Sequence, residues 1–464
     1  MLITAENQAM KYVPRVGVIG IMALALVGCT TATNGQPGAA PPEPAAPPAT
    51  TEPAATPAVE TDDSECSVET PCAITFRWWG GDDRQRRTLE AIELFEEQNP
   101  DIVVTPLPVS FSGYYDQLSI EFAAGTAPDV FQLDAARPRE FGSQGLLLPL
   151  NDLLDTTYLP QAQLDEASYD GVIYAAPHTG NAPSVLLNAD LFAEAGVPLP
   201  DSDTWTWDDF QQITADLSNG LPDGSWPVEL IPVNLGRVWL NQRFDGGFFS
   251  ANGDVAAPVE LLSQWFDFMK TLIDDGVAPP ASETVQLFTV GPEESLMGQN
   301  RSAIMFAPSS TISQMTAASG ANLVLARFPG ESSEDRVGTM VDVGIYYGAS
   351  ARTPHPYAAA RLINFLVNDP DAGLLLGVDR GLPLNSEVAA AVYPTVDSVA
   401  QQQFDYMNRV FAAGGTAHPR APGGFLSIDV NRAVEGVIFG QVNPDDAAST
   451  FAAENQASIE NARG

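Results

Sequence analysis

The chain has 464 residues, 45% of them hydrophobic, which is room for two or three domains with large cores. It carries 59 acidic against 21 basic side chains, a formal charge of −38. That balance argues against nucleic acid and polyanionic partners, whose phosphates are held by Lys and Arg; it favours solubility and leaves neutral or cationic ligands open.

Lys11 and Arg15 precede an apolar run over 16–27, too short and wrongly flanked for a stable membrane span. The run closes with Leu26-Val27-Gly28-Cys29, which resembles the bacterial lipobox. Residues 1–29 therefore read as a lipoprotein signal peptide, with Cys29 the lipidated first residue of the mature protein; ordinary signal cleavage is the alternative. Acylation at Cys29 would anchor the chain to a membrane. Residues 30–72 read as a tether rich in Pro, Ala and Thr, poor in large apolar side chains and extended by its prolines. Outside the cytoplasm a disulfide between Cys66 and Cys72 is expected, with two free thiols as the alternative. His178, His355 and His418 are scattered and each lies beside a proline, so no metal site and no cofactor are expected.

The folded body starts at Ala73. A strand over 73–79 breaks at Gly80-Gly81, and a helix follows to Gln98 with Leu89, Ile92 and Phe95 on one face. Strands over 102–109 and 129–133 alternate with helices over 113–124 and 137–144. This alternation predicts a parallel sheet covered on both faces, with a ligand at the carboxyl ends of its strands. An apolar run over 184–188 and a short helix over 190–195 form a bridge to a second α/β unit. Thr206 opens a new helix, with Asp209 as its capping-box partner. Beyond it lie an amphipathic helix over 261–273, strands over 303–306 and 342–349, and a run of C-terminal helices. A chain crossing between two units leaves a cleft beside the crossing.

The ordered signals resemble one family. They are Trp79-Gly80, FEEQNPDIVV (95–104), GTAPDVFQLD (125–134), QGLLLPL (144–150), VLLNADLFAEAGVPLP with TWTWDDF, LMGQNRSAIMFAPSS (296–310), YAAARLINFLVNDPDA (357–372) and GLPLNSEV (381–388). The set is similar to the family 1 extracellular solute-binding proteins, relatives of the maltose-binding proteins of ABC importers. The resemblance implies an α/β, two-lobed, periplasmic-binding-protein-like fold of type II. Each lobe would be a sheet flanked by helices, joined by a multi-strand hinge. Residues 73–180 would form lobe 1, with a return segment near 311–350; residues 181–464 would form mainly lobe 2 and the C-terminal helices.

Sugars offer C–H faces to aromatic rings and hydroxyls to buried hydrogen-bonding groups. The candidates for those contacts are Trp78, Trp79, Asp82, Asp134, Arg137, Asn181, Trp239, Asp245, Ser309, Asp342 and Tyr346. Trp78 and Trp79 point to opposite sides of a strand, so at most one faces the cleft. Asp82 either caps the first helix or accepts ligand hydroxyls. Asp134 either caps the next helix or meets the ligand, and Asn181 competes with a turn-forming role. Trp239 and Asp245 stand in a glycine-flanked loop. Ser309 falls where many relatives carry an aromatic residue, which points to a ligand other than a long maltodextrin. Asp342, Gly344 and Tyr346 share a face if their strand is regular.

No Walker loop and no G-x-S-x-G turn occurs, so no enzyme is expected. The expected function is that of a monomeric substrate-binding lipoprotein of an ABC importer. It would capture a carbohydrate, an oligosaccharide above all, and deliver it to the membrane permease. A polyamine or other small cation is the alternative ligand; a cell-surface glycan hydrolase is the alternative of another class.

Overall fold

The computed structural model describes residues 66–244, 248–250, 254–334, 336–415 and 427–463. The expected signal peptide with Cys29, the tether up to residue 65 and the candidate Asp245 lie outside the described residues.

The chain opens with β1 (Cys72–Trp79), α1 (Asp82–Gln98), β2 (Ile102–Val109), α2 (Tyr114–Ala124), β3 (Val130–Leu133) and α3 (Arg137–Ser143). Next come α4 (Gln161–Glu166), the small hairpin of β4 (Ser168–Tyr169) and β5 (Val172–Ile173), then β6 (Ala176–Asn181) and β7 (Pro183–Asn188). They are followed by α5 (Ala189–Glu194), α6 (Trp207–Gly220), β8 (Trp226–Glu229), α7 (Pro232–Arg243), α8 (Val259–Asp274) and α9 (Ala281–Leu287). Then come β9 (Ser302–Pro308), α10 (Thr311–Ser319), β10 (Leu323–Ala326) and β11 (Asp342–Ala349). The last elements are α11 (Pro356–Asn368), α12 (Pro370–Leu376), β12 (Leu382–Pro383), α13 (Ser386–Val392), α14 (Ser398–Ala412), α15 (Ser427–Ile438) and α16 (Pro444–Arg463).

Two main sheets result. The larger has six strands in the order β12-β6-β11-β3-β1-β2; the smaller has four, β10-β7-β9-β8. The larger sheet is mixed, not purely parallel: β1, β2 and β3 run together, while β11 is antiparallel to both β3 and β6. Each sheet is flanked by helices, α1, α11 and α12 against the larger and α6, α7 and α8 on the side of the smaller.

Local chemistry explains the element ends. Thr206 and Asp209 form a reciprocal capping box at the start of α6, as the sequence predicts. Gly125 ends α2 at φ +71, a left-handed position that glycine occupies without strain. On α1 the buried stripe is Thr88, Ala91, Ile92 and Phe95; Leu89, expected inside, is exposed because it lies one position off that stripe.

Only Ala182 separates β6 of the larger sheet from β7 of the smaller. The next crossing comes later than the resemblance implies. Ser309 turns into α10, and β10 pairs with β7, so both stay with the smaller sheet. The segment 327–341 then carries the chain to β11. From α13 the chain passes to α14, which packs on β10 and α10, making a third passage.

Among the described residues β2 is an outer strand with β1 as its one neighbour. Its even-numbered positions turn their backbone nitrogens away from β1. The Val104 N–H donates to the Glu96 carboxylate (2.7 Å), and Pro106 and Pro108 occupy the next two such positions. Prolines on an outer strand remove donors where no ladder needs them.

A disulfide joins Cys66 to Cys72, with Cα atoms 5.2 Å apart.

Candidate functional site

The carboxyl ends of β1, β2 and β3 bring aromatic side chains together. Trp79, the last residue of β1, is half-buried. Its ring meets Tyr114 edge-on at 4.8 Å and Phe111 at 5.3 Å between centroids, with Tyr115 at 6.1 Å. Phe111 is exposed, so the cluster has an open side. Such rings favour edge-to-face contact and present an apolar, polarisable surface.

Polar groups border this surface. The Asp134 backbone N–H donates to the Tyr115 hydroxyl (2.8 Å), and the Asp134 carboxylate accepts from the Ala136 N–H (3.0 Å). Asp134 therefore shapes the turn into α3, whose cap position belongs to Ala136. Burial, then the nearby Asp134 charge, pushes the Tyr115 phenol well above its ordinary range, so it stays a neutral hydroxyl. The Arg137 guanidinium lies 4.5 Å above the Tyr115 ring and pairs with Glu140 (2.6 Å).

A second group gathers beside the crossing. Asn181 ends β6 and sits directly opposite Asp342, the first residue of β11. Asp342 accepts two hydrogen bonds from Arg237 of α7, at 2.9 and 2.7 Å. Ser309, 1% exposed, clasps Ala182: its N–H donates to the Ala182 carbonyl (2.8 Å), and its hydroxyl accepts from the Ala182 N–H (3.3 Å). Ser309 thus holds the crossing, with its hydroxyl and N–H both engaged by Ala182.

Other candidates move out of the site. Trp78 is fully buried in the core under α1, because its strand neighbour Trp79 takes the opposite face. Tyr346 is fully buried too; its hydroxyl donates to the Gln163 carbonyl (3.1 Å). Register shifts between Val343 and Tyr346 break the alternation that would align Tyr346 with Asp342. Trp239 stands on helix α7, not in a loop, stacked in the core on Phe268 and covered by Arg243 at 4.2 Å. Asp82 does not cap α1; Gly81 holds that position, and Asp82 is an exposed first-turn carboxylate that favours the helix dipole.

Phe111, Tyr115 and Arg237 escaped the sequence reading, while Arg380, which its place before Gly381-Leu382-Pro383 offers as a ligand contact or a surface residue, is buried. Phe111 and Tyr115 had a signal, since SFSGYYDQL places three aromatics just past the carboxyl end of a strand. Arg237 had none, because its partner Asp342 is distant in sequence. A separate groove between α14 and 157–160 is lined by Leu384, Phe404, Met407 and Phe411 among others, with no charged group. Among the described residues no three His, Cys, Asp or Glu side chains gather as metal ligands would.

Residues 82–372 match the family described as bacterial extracellular solute-binding protein. The chain belongs to this family. It is 21% identical over 299 residues to the galactooligosaccharide-binding protein of Bacillus subtilis, a match covering 63% of this chain and 69% of that one. It is 26% identical over 147 residues to an uncharacterized lipoprotein of Streptomyces antibioticus, covering 31% of this chain. The match spans only 33% of that lipoprotein's length. In fold it resembles a periplasmic oligogalacturonide binding protein from Yersinia enterocolitica. The TM-score is 0.73 at 23% identity, over 84% of this chain and 99% of the other. The architecture is the two-lobed, type II one of these solute-binding proteins.

Proposed function

We propose that this chain is the substrate-binding lipoprotein of an ABC importer, anchored through Cys29 and monomeric, and that its ligand is a carbohydrate. The observation that carries the ligand class is the half-open aromatic cluster of Trp79, Phe111 and Tyr115, bordered by Asp134 and Arg137. Rings for the C–H faces and polar groups for the hydroxyls are what a sugar needs. Asn181 and the Asp342–Arg237 pair, at the same end of the larger sheet, supply further hydrogen-bonding groups. A relative, the galactooligosaccharide-binding protein of Bacillus subtilis, supports this class. A polyamine fits less well, since the Arg137 guanidinium already covers the Tyr115 ring.

Ligand bridging both lobes binds the closed form more tightly and draws the equilibrium toward it. The closed form then docks on the permease. Calorimetry against a panel of mono- and oligosaccharides, mannitol and spermidine tests the reading. Saturable heat with a sugar, barely changed by salt and without turnover, is expected. Binding of spermidine alone, falling steeply with ionic strength, would overturn the carbohydrate assignment; product release from a glycan would overturn the transport role.

A further inference from the structure

Beneath the first turns of α1 lies a polar group that the candidate site does not use. Arg380 is 6% exposed. Its Nη2 donates to Thr88 Oγ1 of α1, and its carbonyl accepts from the Thr179 hydroxyl (2.7 Å). Its Nε and Nη1 are buried and have no hydrogen-bond partner among the described residues. The same holds for Tyr347 Oη, Trp78 Nε1 and His178 Nε2. The rings of His178 and Tyr347 lie 4.9 Å apart, and Trp78 and Tyr347 both pack against Phe76 in the same core.

The charge on Arg380 has no carboxylate of its own. The carboxylate acting on Arg380 is its neighbour Asp379, which already binds Arg84 (2.6 Å). Arg84 and Arg87 both act on Arg380 as like charges. Asp83 binds both Arg86 and Arg87, and Glu90 pairs with Arg86 (2.8 Å), so the arginines of α1 are matched by carboxylates. Burial lowers the proton affinity of Arg380, but a guanidinium stays charged at neutral pH. His178 offers no charge, because burial pushes it down to about 3. Among the described residues Arg380 is thus the arginine of this corner that no carboxylate binds.

A buried, unpaired cation is costly, and a fold keeps one where a counter-charge meets it. Water satisfies orphaned donors but brings no charge. We infer that Arg380, with Tyr347 and His178 beside it, holds a small monovalent anion of the halide or nitrate class between the larger sheet and α1. Trp78, Thr88, His178, Tyr347 and Arg380 are all nearly fully covered, which suits a small, desolvated occupant. The site is separate from the aromatic cluster and stands whether or not a carbohydrate binds there.

The test uses the full chain, without sugar, melted at fixed ionic strength in sodium gluconate, chloride, bromide or nitrate. A saturable rise of about 2 °C or more is expected in the three small anions relative to gluconate. Arg380→Gln should abolish the rise and Tyr347→Phe should weaken it. Should Arg380→Gln fail to fold, anomalous diffraction from bromide-soaked wild-type crystals gives the answer directly. A bromide peak within hydrogen-bond reach of Arg380 Nε supports the site. Identical melting in all four salts, an undiminished shift in Arg380→Gln, or an anomalous map without bromide at Arg380 would overturn it.

Discussion

Arg237 on α7 grips Asp342 at the head of β11 through two parallel hydrogen bonds of 2.9 and 2.7 Å. The helix packs on the smaller sheet and the strand lies within the larger one, so the pair ties the two halves beside their crossing. Bidentate geometry makes it stronger than an ordinary surface pair, while its partial exposure (25% and 19%) keeps it weaker than a fully buried one. A double-mutant cycle of Arg237→Met and Asp342→Asn should give a coupling of about 1–2 kcal/mol in urea unfolding. Additive losses would show that the pair contributes nothing.

The two adjacent tryptophans should fail in opposite ways. Trp78→Ala empties a fully buried core position and should cost about 3–5 kcal/mol. Trp79→Ala removes a half-buried ring at the strand end and should cost far less stability, yet weaken sugar binding tenfold or more. Melting curves and calorimetry on both variants check this. A Trp79→Ala protein that binds its sugar as tightly as the wild type would remove that ring from the site.

Glu229 on β8 should make stability fall with rising pH. Its carboxyl is fully buried, and burial pushes it up to about 7, partly opposed by a hydrogen bond from the Met297 N–H (2.8 Å). Between about pH 4.5 and 7 the folded chain keeps a proton that the unfolded chain releases. Folding stability therefore declines across that window, by about 3 kcal/mol in all, and levels off above it. Glu229→Gln retains an acceptor for Met297 and should lose this decline. Unfolding free energies at pH 5 and pH 8 for both proteins decide; parallel pH profiles would mean that Glu229 titrates normally.

The Cys66–Cys72 disulfide closes a short loop onto the first residue of β1. Its removal should cost about 2 kcal/mol on the loop-entropy account. Dithiothreitol should lower the melting temperature of the wild type and leave a Cys66→Ser/Cys72→Ser protein unchanged. Equal sensitivity of the two would show that the bond does not stabilise the fold.

Elements with a clear period were legible in the sequence. The stripe on α8, the Thr206 capping box and the apolar runs of β7 and β9 all formed where expected. β6 was not recognised as a strand, because Pro177, His178 and Gly180 carry no β signal. It is a strand because β11 and β12 flank it on both sides. α7 looked like a loop for its glycine, yet Gly236 is what lets Trp265 pack there; a Cβ would lie 1.9 Å from that ring. Within the site, the glycine break after Trp79 and the strand-end position of Asp134 could be read locally. The burial of Tyr346 could not, since it depends on register shifts against β6. Nor could the role of Ser309, which depends on a backbone neighbour more than a hundred residues away.

The outer edge of β2 has a consequence for life at high local density. With Val104 occupied by Glu96, and Pro106 and Pro108 lacking an N–H, three successive donor positions are silent. A stray extended segment that collides with this rim finds no rungs to climb. Crowded copies of the chain would thus be spared one route into fibrils.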